Sequence, residues 1–164
     1  MLRPANPWFI ASSLAIATLL EMLPLGREWL RPDFLALTLV FWNIHQPRRV
    51  GIGLAWVFGV FMDVHSASVF GEHALAYTLL SYFAITIHRR VIWFSPLMQA
   101  THILPLLLAA QLVTFSVRLL VGGLNPGFEF FIQSAITAVL WPVLRFVLLV
   151  PQQLPESRDQ NRPI

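Results

Sequence analysis

The sequence predicts an all-α, polytopic integral membrane protein of about six transmembrane helices, and three observations carry that prediction. Hydrophobic residues make up 57% of the 164 and charged residues only 12%, against about 45–50% and about 25% in soluble domains. The mean hydropathy is +0.68. The apolar residues also fall into successive runs parted by short segments of Gly, Pro and Arg. Residues 1–150 read as a single transmembrane domain, and 151–164 as a polar, proline-containing cytoplasmic tail expected to be disordered. Nothing is left over for a separate soluble enzyme domain.

The first run, residues 8–25, has Trp8 suited to an interface and Pro24 near its exit. Glu21 interrupts it and no small-residue cleavage pattern closes it, so it is expected to be a retained helix, not a signal peptide. After Gly26 and a loop holding Arg27, Glu28 and Arg31, Pro32 is expected at the first helical position of a second span over 33–43. That span is short: its apolar residues rise only about 16 to 21 Å against a hydrocarbon core of about 30 Å. It must cross a thinned or protein-lined region, or finish the crossing with its flanks. Pro47 stops it before Arg48 and Arg49.

The third span, 50–64, carries Gly51, Gly53 and Gly59, where a neighbouring helix can come close. A tight, partly embedded turn over 65–73 leads to the fourth span, 74–87, which His88, Arg89 and Arg90 end. Pro96 begins the fifth, 97–117, with Pro105 expected to kink it and Arg118 near its end. The glycines and proline of 122–127 predict a turn before the sixth and longest span, 128–150.

All eleven basic residues are arginine. With the N-terminus cytoplasmic, seven lie inside (Arg3, Arg48, Arg49, Arg89, Arg90, Arg158, Arg162) and three outside (Arg27, Arg31, Arg118), so both termini are expected in the cytoplasm. Arg145 can snorkel to the same inner side. No contiguous basic face exists for nucleic acid, and the absence of cysteine removes disulfides, thiolate metal sites and a cysteine nucleophile.

The polar groups between spans three and four are the candidates for function. Asp63, His65, Glu72 and His73 sit between apolar runs, and an ionisable group at membrane depth is costly unless it is paired or put to use. Their spacing matches no metal-ligand motif. Ser66 or Ser81 with His73 and Asp63 lacks the G-x-S-x-G elbow of a serine hydrolase. An aspartyl protease would need a second aspartate at membrane depth, and Asp33 is expected at the opposite, outer end of span two. No catalytic, cofactor or metal residue is therefore assigned. Asp63 is expected to cap or pair within the helix packing, with His73 or a backbone amide as partner. The arginine pairs read as topogenic charges, or as a patch for anionic lipid or a cytoplasmic partner.

Several motifs then carry a resemblance: RPDF at 31–34 (Pro32 and Asp33 among them), P-x-R-V-G at 47–51, the glycine-containing span ending in Asp63, G-x-H-A-L-x-Y at 71–77 (Gly71, His73, Tyr77), and H-R-R at 88–90 followed by FSP at 94–96. Over residues 31–100 the chain resembles the rod shape-determining MreD family of Gram-negative bacteria. The resemblance implies a non-enzymatic inner-membrane subunit of the cell-elongation machinery that makes lateral peptidoglycan. Its implied partners are MreC and, through it, MreB, RodA and a penicillin-binding transpeptidase, within membrane lipid. It also implies an architecture similar to the six-helix substrate-binding subunits of vitamin transporters. The alternative from another class is therefore a small-molecule-binding transporter subunit, which needs a polar-lined cavity of several hundred Å³.

Overall fold

A computed structural model describes residues 6–23, 26, 30–122 and 127–152, and the regular structure among these residues is helical, with no strand. Helix α1 (Pro7–Met22) is capped by Asn6, whose side chain accepts from Trp8 N at 3.1 Å. Helix α2 (Phe34–His45) follows, then α3 (Ile52–His65), α4 (Glu72–Val91) and α5 (Pro96–Leu120). The sixth run enters through a 3-10 turn (Phe128–Phe131) and divides into α6 (Ile132–Val139) and α7 (Trp141–Leu149), closing with a second 3-10 turn (Val150–Gln152).

Helix α2 is the centre. Every residue from Leu35 to Ile44 is buried, as expected of a helix that is apolar all round. Helices α1 and α4 pack against it, α6 and α7 cover it further, and α4 is itself flanked by α3 and α5. Its 12 residues rise only about 18 Å. The short span is thus lined by protein, one of the ways the sequence allowed it to be short.

Much of the outside of the bundle is apolar too. Trp56, Phe61, Phe83, Leu97, Leu112, Val143 and Phe146 are all exposed, where a soluble monomer rarely shows apolar patches above a few hundred Å². Two helical stretches, Pro96–Leu120 and Phe128–Gln152, are long and apolar enough to cross a membrane.

Several boundaries differ from the sequence prediction. Pro32 lies outside α2, because Asp33 takes the N-cap and accepts from Ala36 N at 2.7 Å. Helix α4 starts two residues before 74 and runs on through His88, Arg89 and Arg90 to Val91. Helix α5 stays continuous through Pro105. The break comes in the sixth run, predicted as one helix: Pro142 has no N–H for the carbonyl of Ala138, and α6 ends at Val139 with Leu140 as its C-cap. Pro151 and Gln152 belong to the closing turn, not to the tail. Arg3, Arg27, Glu28, Arg158, Arg162, the tail from 153 and the centre of the 122–127 turn lie outside the described residues.

Candidate functional site

The site lies where α3 turns into α4, here called the hairpin end. A helix leaves its first N–H groups without intrahelical partners, and α4 starts there after Gly71, which has φ 97° and no side chain to cap with. Asp63, eight residues earlier on α3, supplies the acceptor. Its Oδ1 accepts from His73 N at 2.7 Å, His73 Nδ1 at 2.9 Å and Ser68 Oγ at 3.3 Å. Its Oδ2 accepts from Gly71 N at 2.9 Å and Ala74 N at 3.3 Å. The carboxylate is buried and caps a neighbouring helix, where its charge also suits the positive end of the helix dipole.

Close approach makes this possible. The buried stripe of α3 is Ala55, Gly59, Met62 and Asp63, one helical face. A Cβ on Gly59 would lie 2.4 Å from Ala74 Cα and 2.7 Å from His73 O, so only glycine lets the start of α4 lie against α3. Gly53 has nothing within 4 Å and Gly51 only Pro47 O at 3.8 Å, so neither has the role the three glycines were expected to share.

The N-terminus of α2 shows the same device. Beside its own cap Asp33, Glu21 of α1 accepts from Phe34 N at 3.0 Å and pairs with Arg31 at 3.4 Å. Tyr77 of α4 donates to Asp33 at 3.1 and 3.2 Å, and Asp33 N donates to Thr137 Oγ1 of α6 at 3.0 Å. Across the end, Glu72 in the first turn of α4 meets Arg118 in the last turn of α5 at 2.6 Å, and Arg118 lies over the Phe130 ring at 5.3 Å.

These groups wall a partly enclosed polar cavity of about 120 Å³, lined by residues of α1 to α6, among them Glu21, Asp33, His73, Tyr77, Arg118 and Gln133. Gln111 ties α5 to the 3-10 turn and α6, donating to Phe130 O at 2.9 Å and Gln133 Oε1 at 3.0 Å and accepting from Ser134 Oγ.

The structure therefore brings Asp33, Gly59, Asp63, Gly71, His73 and Tyr77 together, so Asp33 stands at the same end as Asp63 and not at the opposite one, because α2 and α4 both begin there. Arg48, Arg49, Arg89 and Arg90 are exposed at the opposite, arginine end. Sequence reasoning missed the roles of Glu21, Glu72, Gln111, Arg118 and Thr137. The signal was there: an acidic residue in an apolar run needs a partner, and Arg31 and Arg118 were available. Among the described residues no group of three or more His, Asp or Glu could hold a metal ion.

Comparison with known proteins agrees with the motifs and extends their reach. The family described as rod shape-determining protein MreD matches residues 3–151, nearly the whole chain and far more than 31–100. The chain belongs to the MreD family. It is 30% identical over 118 residues, 68% of this chain and 73% of the relative, to the rod shape-determining protein MreD of Haemophilus influenzae (strain ATCC 51907 / DSM 11121 / KW20 / Rd). No solved structure matches the chain, so the implied likeness to vitamin-transporter subunits has no support from that comparison.

Proposed function

We propose that this MreD-family chain is a non-catalytic, multi-pass subunit of the bacterial inner membrane that serves cell elongation by holding MreC. Through MreC it would be linked to MreB, RodA and a penicillin-binding transpeptidase, with both its own termini in the cytoplasm. One observation carries the non-catalytic reading. Asp63, the carboxylate with the most chemical promise in the sequence, gives both oxygens to the first amides of α4 and to His73, so it builds the fold. The four arginines gathered at one end favour the orientation, since positive charge collects on the cytoplasmic side. The transporter alternative loses ground because a cavity of about 120 Å³ is below the roughly 300 to 1,000 Å³ of pockets for drug-sized or vitamin-sized molecules.

Site-specific cross-linkers at exposed positions of α3 and α4, such as Trp56, Leu75 and Tyr82, test the partner in cells. A cross-link to MreC that survives mild-detergent purification is expected, and its absence from every position on both helices would overturn the scaffold reading. Reporter fusions in the 92–95 turn are expected to give a cytoplasmic signal and those at Gly122 a periplasmic one. The reverse pattern would overturn the orientation.

A further inference from the structure

The charges around the hairpin-end cavity do not balance wall by wall. Among the described residues, Glu21 pairs with Arg31, Glu72 with Arg118 and Asp63 with His73, while Asp33 has no cation within 4 Å and feels the charges of His73 and Arg31 only from farther off. Asp33 receives only neutral donors, the Tyr77 hydroxyl and the Ala36 amide, and it lines the cavity. The facing wall is rich in donors. Arg118 commits its Nε to Glu72, and its terminal nitrogens meet no acceptor among the described residues. Gln133 uses its side-chain oxygen to accept from Gln111, which leaves its amide nitrogen uncommitted among them.

We propose that this cavity binds a compact zwitterion, with a primary ammonium at Asp33 and Tyr77 and a phosphate or carboxylate at Arg118 and Gln133. A primary ammonium brings three donors and no acceptor, which suits a carboxylate and a hydroxyl oxygen that lack a cation. An anion accepts from the guanidinium and the amide at the other wall. The ammonium offsets the charge of a phosphodiester or carboxylate in full and that of a phosphate monoester in part, so the low-dielectric end of the bundle gains little net charge. The cavity of about 120 Å³ suits a headgroup-sized guest. The same chemistry is offered by the ethanolamine headgroup of a phospholipid and by a soluble aminophosphate or amino acid.

The test uses the full chain in detergent micelles and in nanodiscs, with thermal unfolding followed by tryptophan fluorescence. At a hundredfold excess over its Kd, O-phosphoethanolamine is expected to raise Tm saturably by about 5 °C. Phosphocholine, whose nitrogen has no N–H, is expected to give less than a quarter of that shift. Asp33→Asn and Gln133→Ala are each expected to weaken the apparent affinity by at least tenfold, and Gln133→Ala, at a partly exposed residue outside the caps, serves if Asp33→Asn does not fold. A Tm increase in nanodiscs of phosphatidylethanolamine over phosphatidylglycerol, with none from the soluble compound, supports the proposal and assigns the guest to lipid. A shift from the soluble compound supports it and assigns a free ligand. Equal shifts from phosphocholine, undiminished affinity in Gln133→Ala, or no shift from either amine source would overturn it.

Discussion

At the hairpin end Glu21, Asp33, Asp63 and Glu72 all turn inward and meet amides, a hydroxyl, a histidine or an arginine of the bundle. At the arginine end Arg48, Arg49, Arg89 and Arg90 are all exposed. The cause is what each helix terminus needs. Helices α2 and α4 both begin at the hairpin end against other helices, so their first N–H groups must be satisfied by protein. Both finish near the arginine end, where cations suit their negative poles and stay in contact with water or headgroups. Charge thus builds the fold at one end and is left for orientation and contact at the other. Substitutions at the two ends should accordingly fail in different ways.

The largest contrast lies within α3. Gly59→Ala places a methyl group against backbone that cannot give way, and it is expected to cost about 3 kcal/mol and to remove most folded protein from the membrane. Gly53→Ala meets nothing and is expected to be neutral or to stabilise by up to about 1 kcal/mol. Equal abundance of the two variants on quantitative immunoblots of membranes would break the contrast.

A smaller effect is expected at Glu72 and Arg118, where one partner is buried and the other 28% exposed. A double-mutant cycle of Glu72→Gln and Arg118→Gln, followed by thermal unfolding in detergent, is expected to give a coupling of about 1 to 2 kcal/mol. A coupling near zero would move the pair to the class of surface ion pairs.

At the arginine end, Arg89→Gln with Arg90→Gln is expected to change stability by less than about 0.5 kcal/mol. It should instead raise the fraction of reversed topology in reporter fusions. Loss of folded protein would show these arginines to be structural. Smallest of all, deleting residues 156–164 is expected to leave insertion and cell shape intact in a complementation assay.

The helical runs, the protein-lined α2 and the fate of Asp63 were legible in the sequence, because each follows from apolar content or from the cost of an isolated charge. The glycines were not: spacing puts Gly53 and Gly59 on offer together, and only the azimuth of α3 against α4 selects Gly59. Pro142 was likewise misjudged, because the sixth run is apolar throughout and was read as one helix, while the missing N–H of Pro142 divides it. The cap from Glu21 to Phe34 depends on where α1 crosses α2, which no local pattern encodes.

The central claim is that Asp63 acts as the cap of α4 and not as a reacting group. Membrane abundance and rod-shape complementation, measured together for Asp63→Ala and Asp63→Asn, test it most directly. Alanine strands the amides of Gly71, His73 and the buried Ala74 and is expected to cost about 3 kcal/mol. Asparagine keeps one acceptor oxygen and is expected to cost about half as much, with complementation falling only as far as abundance falls. Normal abundance of Asp63→Asn with no complementation would contradict the account.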